Sequence, residues 1–250
     1  YPWLKLASIT TNTLLFSDVL SKLYYATIVR ETEPGITKKL KDKYTNLACK
    51  LIEANDSKGL VELASKAASE FNSYTTEKDC PKVGIVGEIF LKFNYFSHQY
   101  IEEKLISKGI EVVPPLISPF FLQEFVNIEA KKRLCLSDSS VPDFVLHTLY
   151  GLIARWEKKY NKVCSSFRYW RPFTSIYDEA KGANGIVSMA AQFGEGWLLP
   201  AEVSEFYRDD VKNVVSLQPF GCIANHIISK GIEKKLHKLY PELNFLSLDF

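Results

Sequence analysis

The apolar positions of this chain change their period as the chain proceeds. Through residues 1–74 they recur at three- and four-residue steps, as in "TNTLLFSDVLSKLYYATIV", which is the spacing of helices with one buried face. Glu33-Pro34-Gly35 breaks the first helix. A second helix is expected over about 37–55 and a third over about 58–74, where "GLVELASKAASEF" is amphipathic. These segments suggest a helical layer rather than a site. After the polar stretch "TTEKDCPK", the short Val- and Ile-rich run "VGIVGEIF" (83–90) has the character of a buried parallel strand.

Helical spacing returns over 96–110 and stops at Gly109, and "EVVPPL" (111–116) is a second strand. Strand, helix and strand at this length make a βαβ unit. Further helices are expected over 118–134, with Ser118 as cap and Pro119 at the first helical position, over 141–167 and over 174–182. The last part alternates again, with a strand at 213–218, a helix at 223–238 and a strand at 244–249. The pattern predicts an α/β fold: a mainly parallel, Rossmann-like sheet with helices on both faces and a helical N-terminal portion. Residues 1–80 would be the helical portion packing on the α/β core, and 81–250 the Rossmann-like domain. The chain starts mid-pattern without a methionine and stops at the strand-like "LNFLSLDF", where a ligand-binding loop would follow. It is therefore expected to be a fragment of a longer protein.

Composition narrows the function classes. The chain has 46% hydrophobic and 24% charged residues, as an ordinary globular protein does. Lys+Arg 31 against Asp+Glu 29 leaves a formal net charge of +2, which gives no electrostatic argument for nucleic acid or a membrane surface. No apolar run is long enough to span a bilayer, and no signal peptide is visible. Five scattered cysteines (Cys49, Cys80, Cys135, Cys164, Cys222) without a C-x-x-C pair fit a reducing cytoplasm better than a disulfide framework. They also make a zinc site or ferredoxin-type cluster held by this chain alone improbable.

Three stretches could carry chemistry. In "VVSLQPFGCIANHIISKG", a strand delivers Gln218-Pro219-Phe220-Gly221 to the carboxyl edge of the sheet, and Cys222 falls at the start of the next helix. The free amides and positive dipole there favour a thiolate, which is what both a metal ligand and a nucleophile require. His226 lies four residues on, one helical turn away. A free cysteine at such a join is as readily a core residue, so burial and a functional thiolate both stay open. In "QFGEGWLLPAEV", two glycines flank Glu195 and Trp197 opens a helix; the loop could offer amides and a carboxylate to a ligand, or could be a glycine turn with an aromatic staple. In "VGIVGEIFLKFN", Gly84 and Gly87 do not make G-x-G-x-x-G, and Glu88 and Asn94 near a strand end are only suggestive. There is no Walker A sequence. His98 and His237 are expected on helices in solvated or half-buried roles, and His147 as a core histidine.

Taken together, "KVGIVGEIFLKFNYFSHQYIEEKLISKGIEVVPP", "QFGEGWLLPAEV" and "VVSLQPFGCIANHIISKGIEKKLHKLYPELNFLSLDF" resemble the 2-hydroxyacyl-CoA dehydratase-like family. The resemblance is closer to the dehydratase-like region of large activators of 2-hydroxyglutaryl-CoA dehydratase, and covers about 81–250. It implies an iron–sulfur cluster held by thiolates in Rossmann-like domains, with electrons supplied by an ATP-hydrolysing module that carries its own cluster, fused or separate. Cys222 in "QPFGC" matches a cluster-ligating position; Glu195, Trp197 and His226 match positions near it. The family's other cluster cysteines and the activator's ATP-binding glycine motifs are absent, so this chain alone is expected neither to hydrolyse ATP nor to dehydrate. The alternatives are a non-catalytic interaction domain of the same fold, or a thiol enzyme using Cys222 and His226.

Overall fold

A computed structural model describes residues 2–136 and 141–250. Its elements run α1 (Trp3–Ile28), α2 (Ile36–Glu53), α3 (Ser57–Ser73), β1 (Lys82–Gly87), α4 (Ile89–Phe93), α5 (Ile101–Ser107), β2 (Glu111–Val113) and α6 (Ser118–Arg133). They continue with α7 (Asp143–Cys164), α8 (Ile176–Ala183), α9 (Leu198–Arg208), β3 (Asn213–Gln218), a π-helical segment (Ala224–Ser229), α10 (Lys230–Leu239) and β4 (Asn244–Asp249). The fold is α/β and Rossmann-like, with one all-parallel sheet in the order β2-β1-β3-β4 and helices around it. The chain divides into two compact units, one made of the described residues of 1–80, 116–118 and 147–173, the other of those of 81–115, 119–146 and 174–250.

The helical unit is built on α1 to α3. Leu15, Val19 and Leu23 of α1, four residues apart, are buried in one cluster with Leu60, Ala64, Ala67 and Phe71 of α3. The alanines leave room for close approach of the helices. Gly35, with φ +83, turns the chain into α2, and the Asp56 carboxylate caps α3 by accepting from the Gly59 N–H at 2.8 Å. Several polar groups inside this unit find partners across it. The buried Asp18 carboxylate accepts from the N–H groups of Ile117 and Ser118 at 2.8 and 2.9 Å, and burial raises its pKa. The Arg30 guanidinium donates to the carbonyls of Lys78 and Ala26 and stacks on Tyr169.

In the sheet unit, β1 pairs with β2 (Lys82 opposite Glu111) and with β3 (Gly87 opposite Leu217), and β3 pairs with β4 (Gln218 opposite Asp249). Ile85, Val86, Val214 and Leu217 are fully or almost fully buried, as central parallel strands require. Gly84 sets the seating of α9: a Cβ there would stand 2.3 Å from the Phe206 ring.

Several expected boundaries shift for local reasons. The strand expected over 83–90 stops at Gly87, because the Glu88 carboxylate accepts from the Leu91 N–H at 2.9 Å and starts the short helix α4. The helix expected over 96–110 is confined to α5, since Gln99 and Tyr100 adopt left-handed φ values of +52 and +56. The strand expected over 111–116 shortens to β2 because Pro114 and Pro115 follow and carry no N–H to donate. The helix expected over 223–238 opens with π-helical geometry. His98 is fully buried in a turn, not on a helix or solvated, and its Nδ1 accepts from the Ile101 N–H at 3.3 Å. His147 is exposed rather than a core residue.

Candidate functional site at the carboxyl edge of the sheet

The site is made where β1 and β3 release the chain side by side. Gly87 has φ +123, and a Cβ there would lie 2.1 Å from the Leu217 carbonyl oxygen, so only glycine allows the two strand ends to come this close. The Glu88 N–H then donates to Leu217 O at 3.0 Å. Beyond Gln218 the chain turns through Pro219, Phe220 and Gly221 (φ +80), and the Cys222 N–H closes the turn on Pro219 O at 3.1 Å. The end of β4 is tied to the same place, because Phe250 N–H donates to Gln218 O and Phe220 N–H to Phe250 O.

The loop 192–197 joins these two turns. Gly194, with φ +57, lies against the π-helical segment: a Cβ built on it would be 3.7 Å from Ala224 Cβ. Gly196 passes so close to Ala191 that a Cβ would stand 1.9 Å from its carbonyl oxygen. Between the two glycines, Glu195 is buried and its Oε1 accepts from the Ile89 N–H at 2.6 Å. Trp197 is fully buried and its indole N–H donates to Asn127 Oδ1 at 2.7 Å. Three stretches far apart in sequence, "VGEIF", "QFGEGW" and "QPFGC", therefore meet at one edge of the sheet.

Cys222 is half-buried there, and its Sγ accepts from the Asn225 side-chain amide at 3.3 Å. The His226 ring points elsewhere in bonding terms: its Nε2 is 3.1 Å from Asp249 Oδ1, and Lys230 Nζ is 3.1 Å from Asp249 Oδ2. The Lys230 ammonium, then His226, hold the Asp249 carboxyl below the usual carboxylate range. No side-chain hydrogen bond joins Cys222 to His226. Underneath the turn, Gln218 donates to Ser229 Oγ at 2.8 Å, and Ser229 shares a 2.9 Å hydrogen bond with Ser216. Phe193, Phe220, Ile223 and Ile227 are exposed, an apolar group on the segments that carry the site.

One part of the site is missing from the sequence reading. Lys92, only 1% exposed, places its Nζ 3.3 Å from Glu202 Oε1, and both side chains are buried. Burial pushes the Glu202 carboxyl up to about 7, against the pull of Lys92. Burial also raises Glu195, again opposed by Lys92, with Glu88 adding a smaller push in the same direction as burial. The Glu195 and Glu202 carboxylates thus share the field of one buried ammonium. The only sequence signal was a charged residue of each sign set in an apolar run, "IFLKF" and "LLPAEV", which is costly unless the two meet.

All five cysteines are free; Cys80 and Cys164 are buried, Cys49 and Cys135 exposed. Among the described residues no three or more His, Cys, Asp or Glu side chains form a group able to hold a metal ion. Nor is any helix among them long and apolar enough to cross a membrane. Compared with family models, with curated proteins and with solved structures, the chain has no match.

Proposed function

We propose that this chain is a component of an iron–sulfur, ATP-driven electron-transfer system related to 2-hydroxyacyl-CoA dehydratase and its activator, working in a reducing cytoplasm. The observation that carries the reading is the convergence of its three motif stretches on the carboxyl edge of a parallel sheet, where such folds bind ligands. Cys222 is the thiolate this chain contributes. In this reading the donor set is a share of a cluster site rather than a whole one, since among the described residues no three or more His, Cys, Asp or Glu side chains form a group able to hold a metal ion. The remaining ligands in this reading come from outside these residues, and the electron donor is an ATP-hydrolysing module with its own cluster. When bound, the cluster supplies one-electron transfer at low potential.

The residues of this chain then have definite tasks. The Gly221 turn presents Cys222 beyond the end of β3. Glu195 fixes the glycine loop to the start of α4, and Trp197 anchors that loop in the interior. Asp249 holds His226 and Lys230 together on the far side of the turn.

Anaerobic loading with ferrous iron and sulfide, with a small thiol present to complete the ligand set, tests the reading. Wild-type protein is expected to retain iron and sulfide through desalting and to show thiolate-to-iron charge-transfer absorption, and Cys222→Ser to retain neither. Wild type that binds no iron, or a variant that binds as much, overturns it.

A further inference from the structure

We propose that the aromatic stretch after β1, residues 90–100, is a self-association surface, which meets the same stretch of a second copy of this chain about a two-fold axis. The inference is independent of the cluster reading. Phe90, Phe93, Tyr95, Phe96 and Tyr100 all lie here in the sheet unit, and each is between 42% and 80% exposed. In α4 the faces divide sharply. Leu91 and Lys92 are buried, whereas Phe90 and Phe93, three residues apart and so on one face, stand outward. At about 200 Å² for a whole aromatic side chain, the five rings leave about 500 Å² in solvent, more than half of the ~800 Å² that each partner gives to a standard interface.

The backbone is built to hold these rings in place. The Tyr100 N–H donates to Tyr95 O at 2.8 Å, the Gln99 N–H to Phe96 O at 3.1 Å, and the Ser97 N–H to Asn94 Oδ1 at 3.1 Å. His98 is the anchor: fully buried, it accepts from the Ile101 N–H and packs T-shaped against Tyr95, with ring centroids 5.7 Å apart. Gln99 and Tyr100 are successive non-glycine residues at left-handed φ, a costly conformation that gathers at binding sites. Rings ordered before contact lose little conformational freedom on association.

A second copy is the occupant that the charges favour. Residues 93–100, "FNYFSHQY", hold no Asp, Glu, Lys or Arg, and their one histidine is buried. A two-fold interface sets a patch against itself, so a charge near its axis faces its own sign. This patch has no charge to repel its copy, and none with which to select a charged partner. Aromatic side chains with few charges are also the composition of interface cores.

Sedimentation velocity over a range of micromolar concentrations tests the proposal. Wild type is expected to show a monomer–dimer equilibrium. Phe96→Asp should raise its dissociation constant by about thirtyfold or more, and Phe90→Ser by about tenfold. Leu4→Asp places the same charge on an equally exposed apolar position of the helical unit and should leave the equilibrium unchanged. Amide hydrogen exchange of the wild type needs no variant: segment 93–100 should gain protection as concentration rises, and α1 to α3 should not. A wild type that stays monomeric overturns the proposal and assigns the stretch to a partner of another kind. Exchange in this segment that ignores concentration, or a Phe96→Asp dimer as tight as wild type, also overturns it. So does a Leu4→Asp dimer weakened as much as that of Phe96→Asp, because the effect of the charge is then not local to this surface.

Discussion

The two units differ in where their buried polar groups go without a partner. In the helical unit, Asp18, Arg30 and Tyr160 reach across the packing and find backbone or side-chain partners. At the carboxyl edge of the sheet, Gln192, Glu202, Gln218 and Asn225 each keep one buried atom without a partner. The apolar interiors do not explain this, since both units bury continuous clusters of Leu, Val, Ile and aromatic side chains. In the sheet unit these four atoms lie on or beside the three converging motifs, whereas in the helical unit Thr37 Oγ1 and Trp170 Nε1, also buried without a partner, lie on separate segments. A fold tolerates such local cost mainly where a site requires it.

The largest expected effect separates the units at two left-handed glycines. Gly87→Ala forces a Cβ into the Leu217 carbonyl and should cost more than about 3 kcal/mol in the sheet unit. Gly35→Ala, with nothing within 4 Å of the new Cβ, should cost only the backbone strain of about 1 kcal/mol. Urea denaturation of each variant, followed at Trp197 and at the tryptophans of the helical unit, measures both. Equal costs would break the contrast between a strained edge and an open turn.

A second contrast lies in two buried glutamates, each pushed up to about 7 by burial. Glu157 has Tyr150 as its hydrogen-bond donor, whereas Glu202 has Lys92. Because both are raised above their unfolded values, the folded state holds these protons more tightly. The stabilisation is full below about pH 4.5 and is lost as pH rises through about 7. Stability of each unit should therefore fall by about 2–3 kcal/mol between pH 4.5 and 8, before other groups contribute. At pH 8, Glu157→Gln should be neutral or stabilising, because it removes only a buried charge. Glu202→Gln should destabilise by about 3 kcal/mol, because it strands the Lys92 ammonium. Chemical denaturation across this pH range distinguishes the two, and matching behaviour would show that Lys92 does not matter to Glu202.

The smallest effects should not distinguish the units at all. Asp56→Ala removes the cap of α3, and Ser175→Ala the cap of α8, where Ser175 Oγ accepts from the Asp178 N–H at 3.1 Å. Each should cost about 1 kcal/mol by denaturation, since capping is local. A much larger loss at Ser175 would extend the special character of the sheet unit beyond its carboxyl edge.

These contrasts also explain what the sequence could and could not reveal. The spacing of Val, Leu and Phe places β3 and β4 at 213–218 and 244–249, and the periodicity of 118–134 places α6, because burial pattern and local geometry agree there. "IFLKF" is too short for periodicity to separate strand from helix, and only the Glu88 cap decides it. Likewise, the π-helical start after Cys222 leaves no mark in a pattern read at 3.6 residues per turn. The site lay partly in view, through the glycines and Cys222. Its closure depends on the bond from Ile89 to Glu195, 106 residues apart, and on Lys92 meeting Glu202, which no local pattern encodes. His98, with charged neighbours in sequence, is buried by a turn whose left-handed residues are not glycines.

The central claim is that three separated segments form one edge of the sheet unit, which we propose binds iron. Amide hydrogen exchange before and after anaerobic iron and sulfide loading tests it most directly. Segments 87–92, 192–197 and 218–226 are expected to gain protection together, with α1 to α3 unchanged and the whole response absent in Cys222→Ser. Protection confined to the Cys222 turn, or appearing equally in the helical unit, would contradict the account.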